Sequence, residues 1–188
     1  MSRTKILSGL LCAGFVLLLR GLSADEPQPD PPAPTEDRVG FPVDYATNYH
    51  VLRSKPVDLK KRQMVTVYGN DPAASIHKLA DLPFPDGSVL VMETASVATD
   101  ADGQPIIDKQ GKFRKDKVVG LHVMRREKDF GAAYGKNQTG EWEYVEYRAD
   151  KSYLTPPQKS FACAACHLKA GKDRDFVYHG PLPEKKSN

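Results

Sequence analysis

One run of residues, SFACAACHLKAG (160–171), dictates more about this chain than any other stretch. It sets Cys163, Cys166 and His167 in the spacing Cys-x-x-Cys-His, with only 21 residues following His167. Four chemistries use such a cluster. A thioredoxin-like dithiol opens a helix straight after the buried strand of a βαβ unit, whereas this pair follows the proline-rich stretch LTPPQK. A structural zinc site takes about four ligands, and these residues supply at most three. A disulfide across two intervening residues closes almost no loop and leaves His167 unexplained. Covalent haem accounts for all three side chains. Each thiol adds to one porphyrin vinyl group, and the adjacent histidine supplies the axial imidazole. The expectation is one covalently attached haem c, bound by Cys163, Cys166 and His167, with His167 as the iron ligand.

The N-terminus agrees with that chemistry, which requires export. Arg3 and Lys5 precede an apolar run from Ile6 to Leu19. That run is about 14 residues, against the ~20 needed to span a bilayer. Small residues then lead to Ala24. Residues 1–24 therefore read as a secretory signal peptide, and the periplasm is the expected location. Cys12 leaves with the leader, so the motif keeps the remaining two of three cysteines. The leader also carries three basic groups and no acid, against a whole-chain balance of 27 basic to 24 acidic residues. The rest of the chain is therefore neutral, and nothing points to nucleic acid as a partner.

Residues 25–40, DEPQPDPPAPTEDRVG, hold five prolines and five acids and read as a disordered linker. The folded domain is expected over 41–180, with a flexible tail at 181–188. Strand patterns occur at 63–69, 88–98, 117–127 and 141–148. A short helix is expected over 70–80, with Asp71 as its N-cap and Pro72 at its first position. A helical segment after Pro157 carries the cysteines. Strands that follow one another through turns favour an antiparallel sheet. The predicted class is α+β and β-rich: an antiparallel sheet with flanking helices and a C-terminal haem-attachment helix.

Small helical electron carriers place the motif near the N-terminus and an axial methionine after it. Here no methionine follows His167, so a sixth ligand would come from the preceding body. Met92 is read as packing against the haem edge or core, with ligation as the alternative; Met64 and Met124 are read as core. Among His50, His77, His122 and His179, His122 lies on a strand and is the first candidate for the far side of the haem. Phe84, Trp142, Tyr144 and Tyr68 are candidates for an aromatic wall.

The pieces FPVDY (41–45), VTVYGNDPA (65–73), PDGSVLVME (85–93), EWEYVEY (141–147), CAACH (163–167) and KDRDFVY (172–178) together resemble the cytochrome P-460 family, with its relative cytochrome c′-beta. The resemblance implies an antiparallel sheet with flanking helices, a homodimer and a five-coordinate c-type haem with an open face. It implies binding or processing of nitric oxide or another small nitrogen ligand such as hydroxylamine, and a soluble redox partner. An oxidoreductase acting on nitric oxide or hydroxylamine is the enzymatic form of that expectation. Hydroxylamine-oxidising members cross-link the haem to a lysine where Met92 stands here, and no lysine lies on 88–98. Catalytic members also place a polar proton-handling side chain near the haem helix, which makes Gln158 a second-sphere candidate. The alternatives are a six-coordinate electron-transfer cytochrome and an exported β-domain held by a disulfide.

Overall fold

The computed structural model describes residues 30–55, 57–58 and 60–178. Six strands form one antiparallel meander in chain order: β1 (His50–Ser54), β2 (Gln63–Gly69), β3 (Val89–Val97), β4 (Lys115–Arg126), β5 (Trp142–Tyr147) and β6 (Tyr153–Thr155). Three short α-helices accompany it: α1 (Tyr45–Asn48), α2 (Asp71–Ala74) and α3 (Phe161–Leu168). Among the described residues no helix is long and apolar enough to cross a membrane. The α+β, β-rich expectation holds. The expected signal peptide, the tail at 181–188 and His179 lie outside the described residues.

The central strands fall where alternation of β-branched and polar residues placed them. The two edge strands do not follow from the pattern. β1 is largely exposed and carries Arg53, and β6 is three residues long. An edge strand buries too little to impose a period-two code. The helix expected over 70–80 is also shorter. It stops at Ala74, and a 3-10 turn at Leu79–Asp81 follows. Its N-cap is Asn70, not Asp71: the Asn70 side chain accepts from Ala73 N at 3.3 Å and from Val89 N at 2.9 Å. The cap thus ties α2 to β3. Ser75 ends the helix by donating to the Pro72 carbonyl at 2.8 Å.

Both faces of the sheet are covered, and each has its own core. On one face Leu90, Met124, Trp142 and Tyr144 pack with Phe84, Tyr134, Ala164 and Val177 beneath α3. On the other, Val89, Val91, Leu121, Val123, Val145 and Tyr147 pack against Val39, Phe41, Tyr45 and Tyr49. The N-terminal segment is therefore a layer of the fold. Over the described residues 30–40 this departs from the disordered linker expected at 25–40. Over 30–40 the chain has no regular secondary structure, as its prolines require, yet Pro34 and Val39 are buried. Arg38 pairs with buried Glu143 through both carboxylate oxygens. Asp37 accepts from the Tyr147 hydroxyl at 2.6 Å and from Tyr153 at 3.1 Å. Asp37, one of the acids that suggested a solvated tether, is a hydrogen-bonded anchor.

One glycine fixes the loop beside Glu143. Gly131 has φ +81°, and a Cβ there would sit 2.5 Å from the Gly140 carbonyl oxygen. Only glycine allows this approach. It lets Gly131 N reach Glu143 at 3.3 Å and starts the 3-10 stretch Ala132–Asn137 that packs against α3.

Candidate functional site

α3 is a single short helix rich in alanine, the best helix former. Ala164 is fully buried beneath it. Cys163 lies three residues before Cys166 and four before His167, so all three share one side of the helix. That side borders a cavity of about 610 Å³ between α3 and the sheet, within the range of small-molecule and cofactor sites. Cys163 is half-buried and Cys166 exposed, and both are free thiols. Burial, then the nearby Glu146 carboxylate, pushes the Cys163 thiol up to about 12. At neutral pH the thiol therefore stays protonated. Among the described residues no three or more His, Cys, Asp or Glu are arranged to hold a metal ion.

His167 is fixed by the segment after the helix. Its Nδ1 lies 2.7 Å from the Phe176 carbonyl oxygen. A carbonyl only accepts, so Nδ1 carries the proton and Nε2 is left to the cavity with its lone pair. The carbonyl is turned toward the ring by two successive left-handed residues, Asp175 (φ 48°) and Phe176 (φ 61°). Asp175 is in turn held by Phe84 N at 3.0 Å and by Arg126. The Tyr144 ring lies 4.6 Å from the imidazole and the Tyr178 ring 5.7 Å. Burial pushes the His167 titration down and keeps the ring neutral. A neutral imidazole with Nδ1–H locked on a carbonyl is how proteins prepare a histidine to bind a metal through Nε2.

The opposite wall is the sheet, laid out in two cross-strand rows. Leu90 on β3, Met124 on β4 and Tyr144 on β5 form an apolar row. One step along, Met92, His122, Glu146 and Thr155 form a polar row from β3 to β6. His122 Nδ1 lies 2.5 Å from Glu146 Oε1, and Thr155 Oγ1 donates to Glu146 Oε2 at 2.5 Å. These two hydrogen bonds, His122's first, hold the Glu146 carboxyl below its ordinary value. A carboxylate only accepts, so His122 Nδ1 carries a proton and Nε2 is free to face the cavity.

The structure brings Cys163, Cys166, His167, Met92, Met124, His122 and Tyr144 to this cavity. It does not bring Gln158, which is exposed and donates to the Thr35 carbonyl in the N-terminal layer. Exposed His50 pairs with Asp71 at 2.7 Å, and His77 is exposed. Phe84 and Trp142 pack edge to face in the core, and Tyr68 belongs to the other face. The polar lining residues that lay beyond the sequence reading are Lys55, Glu146, Thr155 and Tyr178. Parity with Tyr144 along β5 marks Glu146. Lys55 and Thr155 sit at edge strands that carry no such signal.

A β-meander whose C-terminal helix offers two thiols and a preset imidazole to one cavity defines a class: a cytochrome with its haem motif at the end of the chain. A family model described as Cytochrome P460 matches residues 42–179, which is 138 of the 188 residues. The chain belongs to the cytochrome P460 family, and that membership implies a haem cofactor. No curated protein matches it. The cavity residues fit a haem: a neutral imidazole with Nε2 available, two thiols on the same rim, and an apolar row along the floor.

Proposed function

We propose that the chain is an exported mono-haem c-type cytochrome whose haem binds or processes small nitrogen species, nitric oxide foremost. Cys163 and Cys166 would hold the porphyrin through thioether bonds, and His167 Nε2 would bind its iron. When bound, haem supplies an iron for diatomic or nitrogen ligands and for one-electron exchange. The observation that carries the reading is the pairing across the cavity of the preset His167 with the His122–Glu146 wall.

The chain's own residues divide the work. The Phe176 carbonyl fixes the His167 tautomer and orientation. Tyr144 and Tyr178 wall the imidazole from two sides. Leu90 and Met124 exclude water from one end of the floor. At the other end His122 presents Nε2, and Glu146 stabilises the imidazolium formed when Nε2 takes a proton. Thr155 occupies the second carboxylate oxygen, so Glu146 stays oriented toward His122. The pair can hold or return a proton beside a small ligand. A homodimer, a soluble redox partner and a periplasmic location complete the proposal.

One observation favours a second reading, that of an electron carrier. The same hydrogen bond to Glu146 that frees His122 Nε2 also suits that nitrogen to bind the iron. The absorption spectrum of the reduced protein, with and without carbon monoxide, separates the two. The open-site reading gives a high-spin ferrous spectrum that shifts with carbon monoxide. A low-spin spectrum that carbon monoxide leaves unchanged, becoming high-spin in His122→Ala, establishes the carrier instead.

A further inference from the structure

The cavity is electrically polarised along the sheet. Cys163 and Cys166 border it on α3, which packs against β5. Glu146, also on β5, is close enough to Cys163 to raise its titration. The other charged end is Lys55, directly after β1. Among the described lining residues it is the sole lysine or arginine. β1 and β5 are four strand spacings apart in the meander. At 4.7–4.9 Å each, that is roughly 19 Å along the sheet. Lys55 is half-buried, and its backbone N donates to Val65 O at 3.0 Å, so β2 fixes where the side chain starts.

A porphyrin of the haem type carries the same polarity. Its two vinyl groups sit at one edge and its two propionates at the opposite edge. Thioethers to Cys163 and Cys166 place the vinyl edge at α3 and send the propionates across the sheet. Glu146 disfavours a carboxylate at the cysteine end, and Lys55 favours one at the β1 end. We infer that the Lys55 ammonium pairs with a haem propionate and sets the direction in which the macrocycle lies across the sheet. This rests on the haem reading above. It gives Lys55 an ionic role, with its amine not bonded to the ring carbon skeleton.

The test is the reduction potential of the purified holoprotein as a function of pH, for the wild type, Lys55→Met and Lys55→Arg. Covalent haem is scored first by haem staining on a denaturing gel. Unstained wild-type protein overturns the haem reading and this assignment together. The ionisable groups facing the site are Lys55, His122, Glu146, Tyr144, His167 and Tyr178. His122→Gln and Glu146→Gln identify the inflection that belongs to the wall. An opposite charge within ~4–6 Å lowers a carboxylic acid by 1–3 pKa units. The remaining inflection should therefore move up by about one unit or more in Lys55→Met and stay in place in Lys55→Arg. The plateau above that inflection should fall in Lys55→Met, because a lost cation favours the oxidised haem. Haem-stained Lys55→Met with the wild-type inflection overturns the assignment, even if its potential is offset equally at every pH. A haem peptide that also contains Lys55 overturns it as well. If Lys55→Met yields no soluble protein, Lys55→Gln is measured against the same criteria.

Discussion

Replacing Arg38 by methionine removes the partner of a carboxylate that water barely reaches. Glu143 is 1% exposed on β5 and accepts from Arg38 Nε at 3.1 Å, from a second Arg38 nitrogen, and weakly from Gly131 N at 3.3 Å. The guanidinium also lies 4.2 Å over the Phe130 ring. Breaking a buried ion pair from one side costs about 3–5 kcal/mol. Arg38 is 41% exposed, so solvent already screens part of the interaction and replaces part of it after the change. A loss of roughly 2–3 kcal/mol follows from that discount. For a chain of this size each 1 kcal/mol moves the midpoint by about 2–4 °C, so Tm should fall by roughly 4–12 °C. The assay is a thermal melt of the holoprotein followed by far-ultraviolet circular dichroism at neutral pH. Adding Glu143→Gln should restore most of the loss, because a neutral amide still accepts from Gly131 and no longer needs a cation. A drop under about 2 °C, or no recovery in the double variant, refutes the reasoning that residues 30–40 are a structural layer.

Tyr134→Phe should destabilise the fold by about 1–3 kcal/mol in urea titrations, through buried groups left unpaired. The Tyr134 hydroxyl is fully buried, accepts from Tyr144 N at 3.1 Å and bonds Ser160 Oγ at 2.8 Å. Glu146 should add an acid-dependent component to stability. Its folded value is lowered from an ordinary 4.5 by His122 and then Thr155, so the folded protein binds that proton less readily than the unfolded chain. The contribution is present above about 4.5 and is lost as pH falls through the lower folded value. Glu146→Gln should flatten the urea midpoint against pH in that window, and an unchanged slope contradicts it. Tryptic digestion of the holoprotein should release one haem peptide from around 160–169, with no lysine cross-link. Met92→Lys places an amine on the cavity row and has the position to acquire one; a second peptide on wild-type haem contradicts the reading of Met92.

The sequence made the candidate haem site legible because it is local. Cys163, Cys166 and His167 lie within one and a half helical turns, and their spacing carries their meaning. The central strands were legible because Val89–Val97 and Trp142–Tyr147 are rich in β-branched and aromatic residues, bounded by turn residues, and largely buried. What escaped was non-local. His122 acquires its partner through the register of β4 on β5, and Glu146 acquires Thr155 through a three-residue edge strand. Asp37 and Arg38 look like tether residues until the fold sets Tyr147 and Glu143 beside them. Gln158 was misplaced for the same reason: its position near the motif in sequence says nothing about which way the 3-10 turn at Pro157–Lys159 directs it.

The central claim is that Cys163, Cys166 and His167 hold one haem through bonds that survive unfolding. Intact mass spectrometry of the exported protein under denaturing conditions tests it directly. The account predicts the mass of the processed polypeptide plus one haem, since each thioether forms by addition with nothing lost. It also predicts the bare polypeptide for the Cys163→Ala/Cys166→Ala double variant. A wild-type mass lacking haem, or haem retained on the double variant, contradicts it.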